Sequence, residues 1–249
     1  MPAFTDIWRA AADANGLEKY RDDPRFPRLC ELLLAANERM NLTAIRDGEG
    51  VSLLHFADSL TALPFIPEGA RVVDVGCGGG FPCLPLAIAR PDLRITALDS
   101  TAKKLGFVSD AARLLGLDNI VTLAARAEEI GRDPAYRESF DCATARAVAP
   151  LDVLSELCLP LVRKGGRFVA LKAGGADAEL ALASDVIPKL GGGAPDSVRL
   201  TLNAPGSGDL LNRVVVTVSK LENTPAAYPR QYSQIKKSHE KKLKSKEQQ

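Results

Sequence analysis

Apolar residues in the first part of the chain recur at helical spacing. Residues 4–19 place Phe4, Ile7, Trp8, Ala11 and Ala12 on one face, and residues 29–40 do the same with Leu29, Leu32, Leu33 and Ala36. Residues 51–63 read as a third helix. No strand pattern interrupts them, so residues 1–67 are expected to form a small helical cap. At Arg71 the pattern changes. Arg71-Val72-Val73-Asp74-Val75 is a short β-branched run that leads into Gly76-Cys77-Gly78-Gly79-Gly80. A helix over 81–90 follows and ends before Pro91. Further strands are expected over 93–98, 119–123, 140–144 and 167–171, and helices over 101–115, 148–162 and 176–190. This alternation predicts a parallel sheet with helices on both faces. Residues 198–202 and 213–219, joined by a Gly/Pro/Asn-rich turn, are expected as an antiparallel hairpin at one edge. The fold class is therefore α/β. A seven-stranded, mostly parallel sheet over residues 68–227, ending in a hairpin, is the layout of the Rossmann-like class I methyltransferases.

The glycine loop carries the sharpest chemistry. Glycines after a first buried strand let the backbone turn tightly and approach a ligand without a Cβ in the way. The helix behind them offers free N–H groups and a positive dipole end. A dinucleotide fingerprint would need a glycine at position 81, where the chain has Phe81. Asp74 instead completes a D-x-G-x-G pattern typical of S-adenosyl-L-methionine sites, where a carboxylate can orient the loop and attract the cofactor's ammonium group. Asp99 closes the second strand 23 residues beyond Gly76, near the spacing at which a carboxylate reaches ribose hydroxyls. It could also cap the next helix, as could Ser100. Glu128 follows the third strand and Arg146 the fourth, and by themselves both read as surface charges.

Charge adds one feature. Residues 228–249 hold seven Lys/Arg against two Glu, a local +5, so the rest of a chain of net charge +1 is −4. A basic tail without an apolar pattern fits either a polyanionic partner or a solvated end. Five cysteines without a C-x-x-C pair indicate neither a metal site nor a disulfide framework. No apolar run is long enough to span a membrane, and no basic-then-apolar leader opens the chain, so the cytoplasm is the expected compartment.

Absences narrow the methyl acceptor. The segment after the fourth strand, Ala145-Arg146-Ala147-Val148-Ala149-Pro150, lacks the Asn/Asp-Pro-Pro-aromatic turn of amino-methylating enzymes. Pro82-Cys83 lies beside the cofactor loop instead of at the acceptor, and Cys142 and Cys158 read as core residues. Guanine N7, a free lone pair at neutral pH, needs neither device; alignment and electrostatic support suffice.

Several motifs in colinear order resemble the bacterial RsmG (GidB) family. They include Asn41-Leu42-Thr43-Ala44-Ile45, His55-Phe56-Ala57-Asp58-Ser59-Leu60, the run Asp74 to Pro82, Leu98-Asp99-Ser100 and Arg126-Ala127-Glu128. Ala145 to Ala149, Glu156 to Leu161, Ala170-Leu171-Lys172 and Thr224 to Arg230 continue the series. The resemblance implies N7 methylation of one guanine in 16S rRNA of the small ribosomal subunit. It also implies S-adenosyl-L-methionine contacts at Gly76, Phe81, Asp99, Ser100, Thr101, Ala127, Glu128 and Arg146. Arg146 is the one candidate for a catalytic part, and Arg146, the cap and the tail are candidates for positioning RNA. Cys83 departs from the family's usual glycine, and the tail departs from its usual ending. From chemistry alone, Asn41 could end a helix in the left-handed conformation and Thr43 cap the next turn. His55 and Asp58, three apart on a helix, could line the substrate mouth or bond each other; Lys172 could reach a phosphate or sit in solvent. A small-molecule methyltransferase and a non-catalytic ribosome-binding factor are the alternatives.

Overall fold

The computed structural model describes residues 3–247. It opens with α1 (Phe4–Ala14) and α2 (Arg25–Met40). A continuous helical run follows, made of α3 (Gly48–Gly50), a π-wound stretch (Val51–Ala57) and α4 (Asp58–Leu60). The first helix is shorter than its apolar pattern because Gly16, at φ +69°, turns the chain. The second starts earlier than expected, where Asp23 accepts from Arg25 N at 3.0 Å. It ends at Asn41 in the left-handed conformation (φ 50°, ψ 52°), as the sequence suggests. Trp8 stacks on Phe26 with ring centroids 4.3 Å apart and meets the edge of Phe56 at 5.7 Å. These rings belong to an apolar core that continues through Leu84, Ile95 and Val169 in the sheet layers, so the helices at the front are packed as part of one body.

Seven strands form one sheet: β1 (Arg71–Val75), β2 (Arg94–Asp99), β3 (Ile120–Ala124), β4 (Phe140–Arg146), β5 (Val162–Ala173), β6 (Asp196–Asn203) and β7 (Leu210–Ser219). Their order is β3-β2-β1-β4-β5-β7-β6, with the first five parallel and β7 antiparallel to both neighbours. This is the expected class I methyltransferase arrangement. β1 and β4 are buried almost throughout, which is why they read as unbroken apolar runs. β5 extends five residues before its expected start. Gly165-Gly166 lies in an irregularity of β5, where residues 163–166 stand against Asp141 alone between the Phe140–Val162 and Cys142–Arg167 pairs. Helices α5 (Cys83–Ala89), α6 (Ala102–Leu114), α7 (Ala127–Ile130), α8 (Leu151–Cys158) and α9 (Asp177–Ala183) cover the faces.

The basic tail is folded, contrary to the solvated end that its composition allows. After Tyr228-Pro229 it forms α10 (Tyr232–Glu247). Arg137 and Arg132 hold the approach by donating to the carbonyls of Thr224, Tyr228 and Pro229 at 2.5–2.8 Å. Glu156, fully buried on α8, receives Arg230 at both carboxylate oxygens (2.9 and 2.7 Å) and its backbone N–H at 2.8 Å. On α10 itself Ile235 is buried, His239 Nδ1 meets Asp152 at 2.9 Å, and Lys242 Nζ donates to Leu182 O and Asp185. The docked face is mostly polar. Lys237, Lys241 and Lys244 repeat at i, i+4 and i+7 on the exposed side.

Candidate active site

The carboxyl ends of β1 and β4 flank the point where strand order reverses, and there the sheet opens a cavity of about 1000 Å³. The glycine loop forms its floor. Gly76 N and Cys77 N both donate to Leu98 O (2.8 and 3.0 Å), which ties the loop to β2. Gly76 sits at φ +71°, and a Cβ there would lie 2.6 Å from the Val148 side chain of the loop after β4. Gly78, at φ +55°, has open space where a Cβ would stand, its nearest neighbour being Gly76 O at 4.0 Å. One glycine thus permits close packing, and the next leaves room at the cavity.

Asp99 is braced at both oxygens, by Gly78 N at 2.9 Å and by Thr101 N at 2.8 Å. Each oxygen keeps acceptor capacity for a further donor. Neither Asp99 nor Ser100 caps α6, because Thr101 occupies that position. Asp74 is fully buried, accepting from Thr144 Oγ1 at 2.9 Å and Cys83 N at 3.1 Å. Burial raises its pKa to about 6, against the pull of those hydrogen bonds. It therefore locks β1 to β4 and α5 behind the glycine loop.

Arg146 is the most heavily engaged charge in the site. Its Nη1 donates to Leu54 O at 2.7 Å and Asp58 Oδ2 at 2.9 Å, and Nη2 lies 2.9 Å from His55 Nδ1. Asp58 Oδ1 accepts from Arg213 Nε on β7 at 2.8 Å. The Arg146 guanidinium stands over the Phe81 ring at 5.4 Å, and His55 stacks on the same ring at 4.2 Å. An arginine only donates, so His55 Nδ1 accepts and its proton resides on Nε2, which donates to Thr43 Oγ1 at 2.8 Å. Burial, and then the Arg146 charge, push the His55 pKa down to about 3. The π winding around Leu54 and His55 is what turns both toward Arg146.

Residues 23–197 match the family described as GidB, rRNA small subunit methyltransferase G. The chain belongs to this family. Ribosomal RNA small subunit methyltransferase G of Lactobacillus delbrueckii subsp. bulgaricus is 46% identical over 228 residues, covering 88% of this chain and 94% of that protein. The Deinococcus radiodurans protein of the same name is 44% identical over 231 residues, covering 92% and 90%. Among solved structures, a SAM-dependent O-methyltransferase from Thermotoga maritima has a TM-score of 0.53 at 16% identity, covering 78% of this chain and 72% of that one. That likeness is one of fold.

Within this GidB-family chain, Gly76, Phe81, Asp99, Ser100, Ala127, Glu128 and Arg146 all line one cavity, while Thr101 stands just behind Asp99. His55 and Asp58 do not bond each other; both converge on Arg146. Lys172 does not sit in solvent but lines the cavity. It is buried to 9% exposure against Ala149 O and Glu179. Glu179 and Tyr232 also line the cavity, and sequence reasoning missed both because nothing in a short α9 or a basic tail marks them. Cys83 is wholly buried at the start of α5, and burial holds its thiol protonated. No helix among the described residues is long and apolar enough to cross a membrane.

Because the folded state lowers the pKa of His55, the unfolded chain takes up its proton first as pH falls below 6.5. The neutral-His55 contribution to stability is thus complete above pH 6.5 and is lost on acidification. Between pH 7.5 and 5 this loss amounts to about 2 kcal/mol. His55→Gln keeps one acceptor and one donor without titrating, so urea unfolding should show a pH dependence flatter by that amount. Parallel profiles for the two proteins would contradict the assignment.

Proposed function

We propose that the chain methylates N7 of one guanine in 16S rRNA of the small ribosomal subunit, in the cytoplasm, with S-adenosyl-L-methionine as donor. The supporting observation is the chemistry of the cavity walls. His55 is neutral with both ring nitrogens engaged, and Cys77, the cysteine on the cavity wall, is buried in the glycine loop at 3% exposure. Such walls offer no free imidazole base and no exposed thiol, so they suit an acceptor that is already nucleophilic, as guanine N7 is.

The donor fits the residues present. The open space at Gly78 leaves room for its amino-acid moiety, and the braced Asp99 carboxylate suits a vicinal diol. Ser100, Ala127 and Glu128, on the cavity wall with Asp99, would hold the adenosine, with Thr101 bracing Asp99 and with Gly76 and Phe81 also lining the cavity. When bound, the donor supplies a methyl group whose bonding pair stays with sulfur while the N7 lone pair forms the new bond. Arg146 serves as a positioning residue, since its guanidinium is engaged by Asp58, Leu54 O and His55 and stands over the Phe81 ring. The base must be unstacked to enter. Lys237, Lys241 and Lys244 on the outer face of α10 contact RNA phosphates, and Tyr232 stands at the mouth between helix and cavity.

Transfer of labelled methyl from the donor to small subunits, followed by nucleoside identification, tests this reading. Label in 7-methylguanosine is expected. Cofactor binding without RNA labelling would favour a small-molecule acceptor or a non-catalytic ribosome-binding factor. Asp99→Ala should weaken adenosylmethionine binding roughly ten- to hundredfold by calorimetry, the loss of charge-assisted bonds to a ribose. Unchanged affinity would remove Asp99 from the site.

Replacing Lys237, Lys241 and Lys244 together by Gln should leave cofactor affinity intact and weaken RNA binding. The slope of log affinity against log salt should become shallower by roughly two. An equal slope would show that this face touches no phosphate.

A further inference from the structure

We propose that Lys172 and Glu179 form the subsite that reads the acceptor base, admitting guanine and refusing adenine. This rests on the guanine reading above. Lys172 near the end of β5 and Glu179 on α9 line the cavity on the β5 side of β4, whereas Asp99 lies on the β2 side. Lys172 Nζ donates to Ala149 O at 2.8 Å and to Glu179 Oε2 at 2.6 Å. An ammonium has three N–H groups, and the third has no acceptor among the described residues. Glu179 Oε2 also accepts from Leu151 N at 2.7 Å, while Oε1 has no donor among the described residues. The side chains are 9% and 32% exposed, so the lysine is enclosed and the carboxylate remains open to the cavity. The pair presents one N–H donor beside one carboxylate acceptor. Its geometry is fixed by the same backbone, Ala149 to Leu151, that leads from β4 into α8.

Guanine carries the matching sequence of groups: an O6 acceptor, then N1–H and N2–H donors. O6 pairs with the Lys172 ammonium, and the two donors share Glu179 Oε1, the oxygen left open. Adenine carries an N6–H donor followed by an N1 lone pair, which would set donor against donor and lone pair against carboxylate. Enclosed polar groups left unpaired in this way are the strongest means by which a site rejects a near-isostere. The carboxylate also suits the chemistry. As the N7 lone pair takes the methyl carbon and the C–S pair stays with sulfur, one positive charge passes to the purine ring. N1–H and N2–H become more acidic, and their bonds to Glu179 strengthen as the charge develops. Asp58, 2.9 Å from Arg146, reduces the opposition of that charge.

The test uses small subunits reconstituted with 16S rRNA that carries guanosine or inosine at the methylated position, inosine lacking only the N2 amino group. Wild-type kcat/KM should fall by about tenfold or more on inosine, one hydrogen bond to a charged acceptor. Glu179→Asp should retain most of that ratio. Glu179→Gln keeps an oxygen for Leu151 N but sets an amide N–H₂ against the base, so its ratio should fall to about one. Where that variant turns over too slowly to compare, the affinities for 7-methylguanosine and 7-methylinosine monophosphates, followed by purine fluorescence, give the same ratio. Unchanged adenosylmethionine affinity verifies the fold of each variant. Equal action on both substrates by the wild type, or an undiminished ratio in Glu179→Gln, overturns the proposal. Absence of methyl transfer to guanosine by the wild type overturns the guanine reading instead.

Discussion

Asp58 holds two guanidinium groups, Arg146 from the end of β4 and Arg213 from β7, with one carboxylate oxygen for each. Asp58 is buried, and both arginine side chains are less than one-fifth exposed. Two enclosed cations against one anion would be poorly compensated if nothing else faced them. The remainder is met by polar groups: Leu54 O and the neutral His55 Nδ1 accept from Arg146, and Asn212 O accepts from Arg213. A protonated His55 would add a third cation to this cluster. The requirement that it stay neutral follows from the same electrostatics that fix Arg146.

That node joins the helical run over residues 48–60 to the sheet and also shapes the cavity. Arg146 and His55 both lie against Phe81, so the wall beside the glycine loop is positioned by ion pairing a few ångströms behind it. Nucleophilic attack by N7 moves positive charge onto a base, and a free arginine beside it would resist that movement. Here the arginine is not free, since Asp58, Leu54 O and His55 Nδ1 all accept from it. Two carboxylates with open acceptor capacity at the cavity, Asp99 and Glu179, stand on either side of the β1–β4 pair. One side suits a neutral diol and the other a base that becomes cationic, a division of labour that needs no general base.

Much of this was legible in the chain itself, for identifiable reasons. β1 and β4 are buried on both faces and so write themselves as apolar runs, and the glycines that end β1 are required by positive φ and close packing at Val148. Asp99 could be placed because its distance from the loop is set by one crossover of regular length. What stayed hidden depends on contacts between residues far apart in sequence. α10 docks through Ile235 and polar pairs to Asp152 and Asp185, leaving no apolar periodicity to read. The π winding over Val51–Ala57 adds a residue to a turn, which shifts His55 and Asp58 away from each other and toward Arg146. Glu179 is marked only by Lys172 and Leu151, and neither pairing has a local signature.

The account stands on the chain's acting at guanine N7 in small-subunit RNA, and nucleoside mass spectrometry of 16S rRNA tests that most directly. RNA fragments from cells that carry the gene and from cells that lack it would be compared position by position. The account predicts one guanosine that is 7-methylated in the first and unmodified in the second. Identical 7-methylguanosine content at every position in both would contradict it.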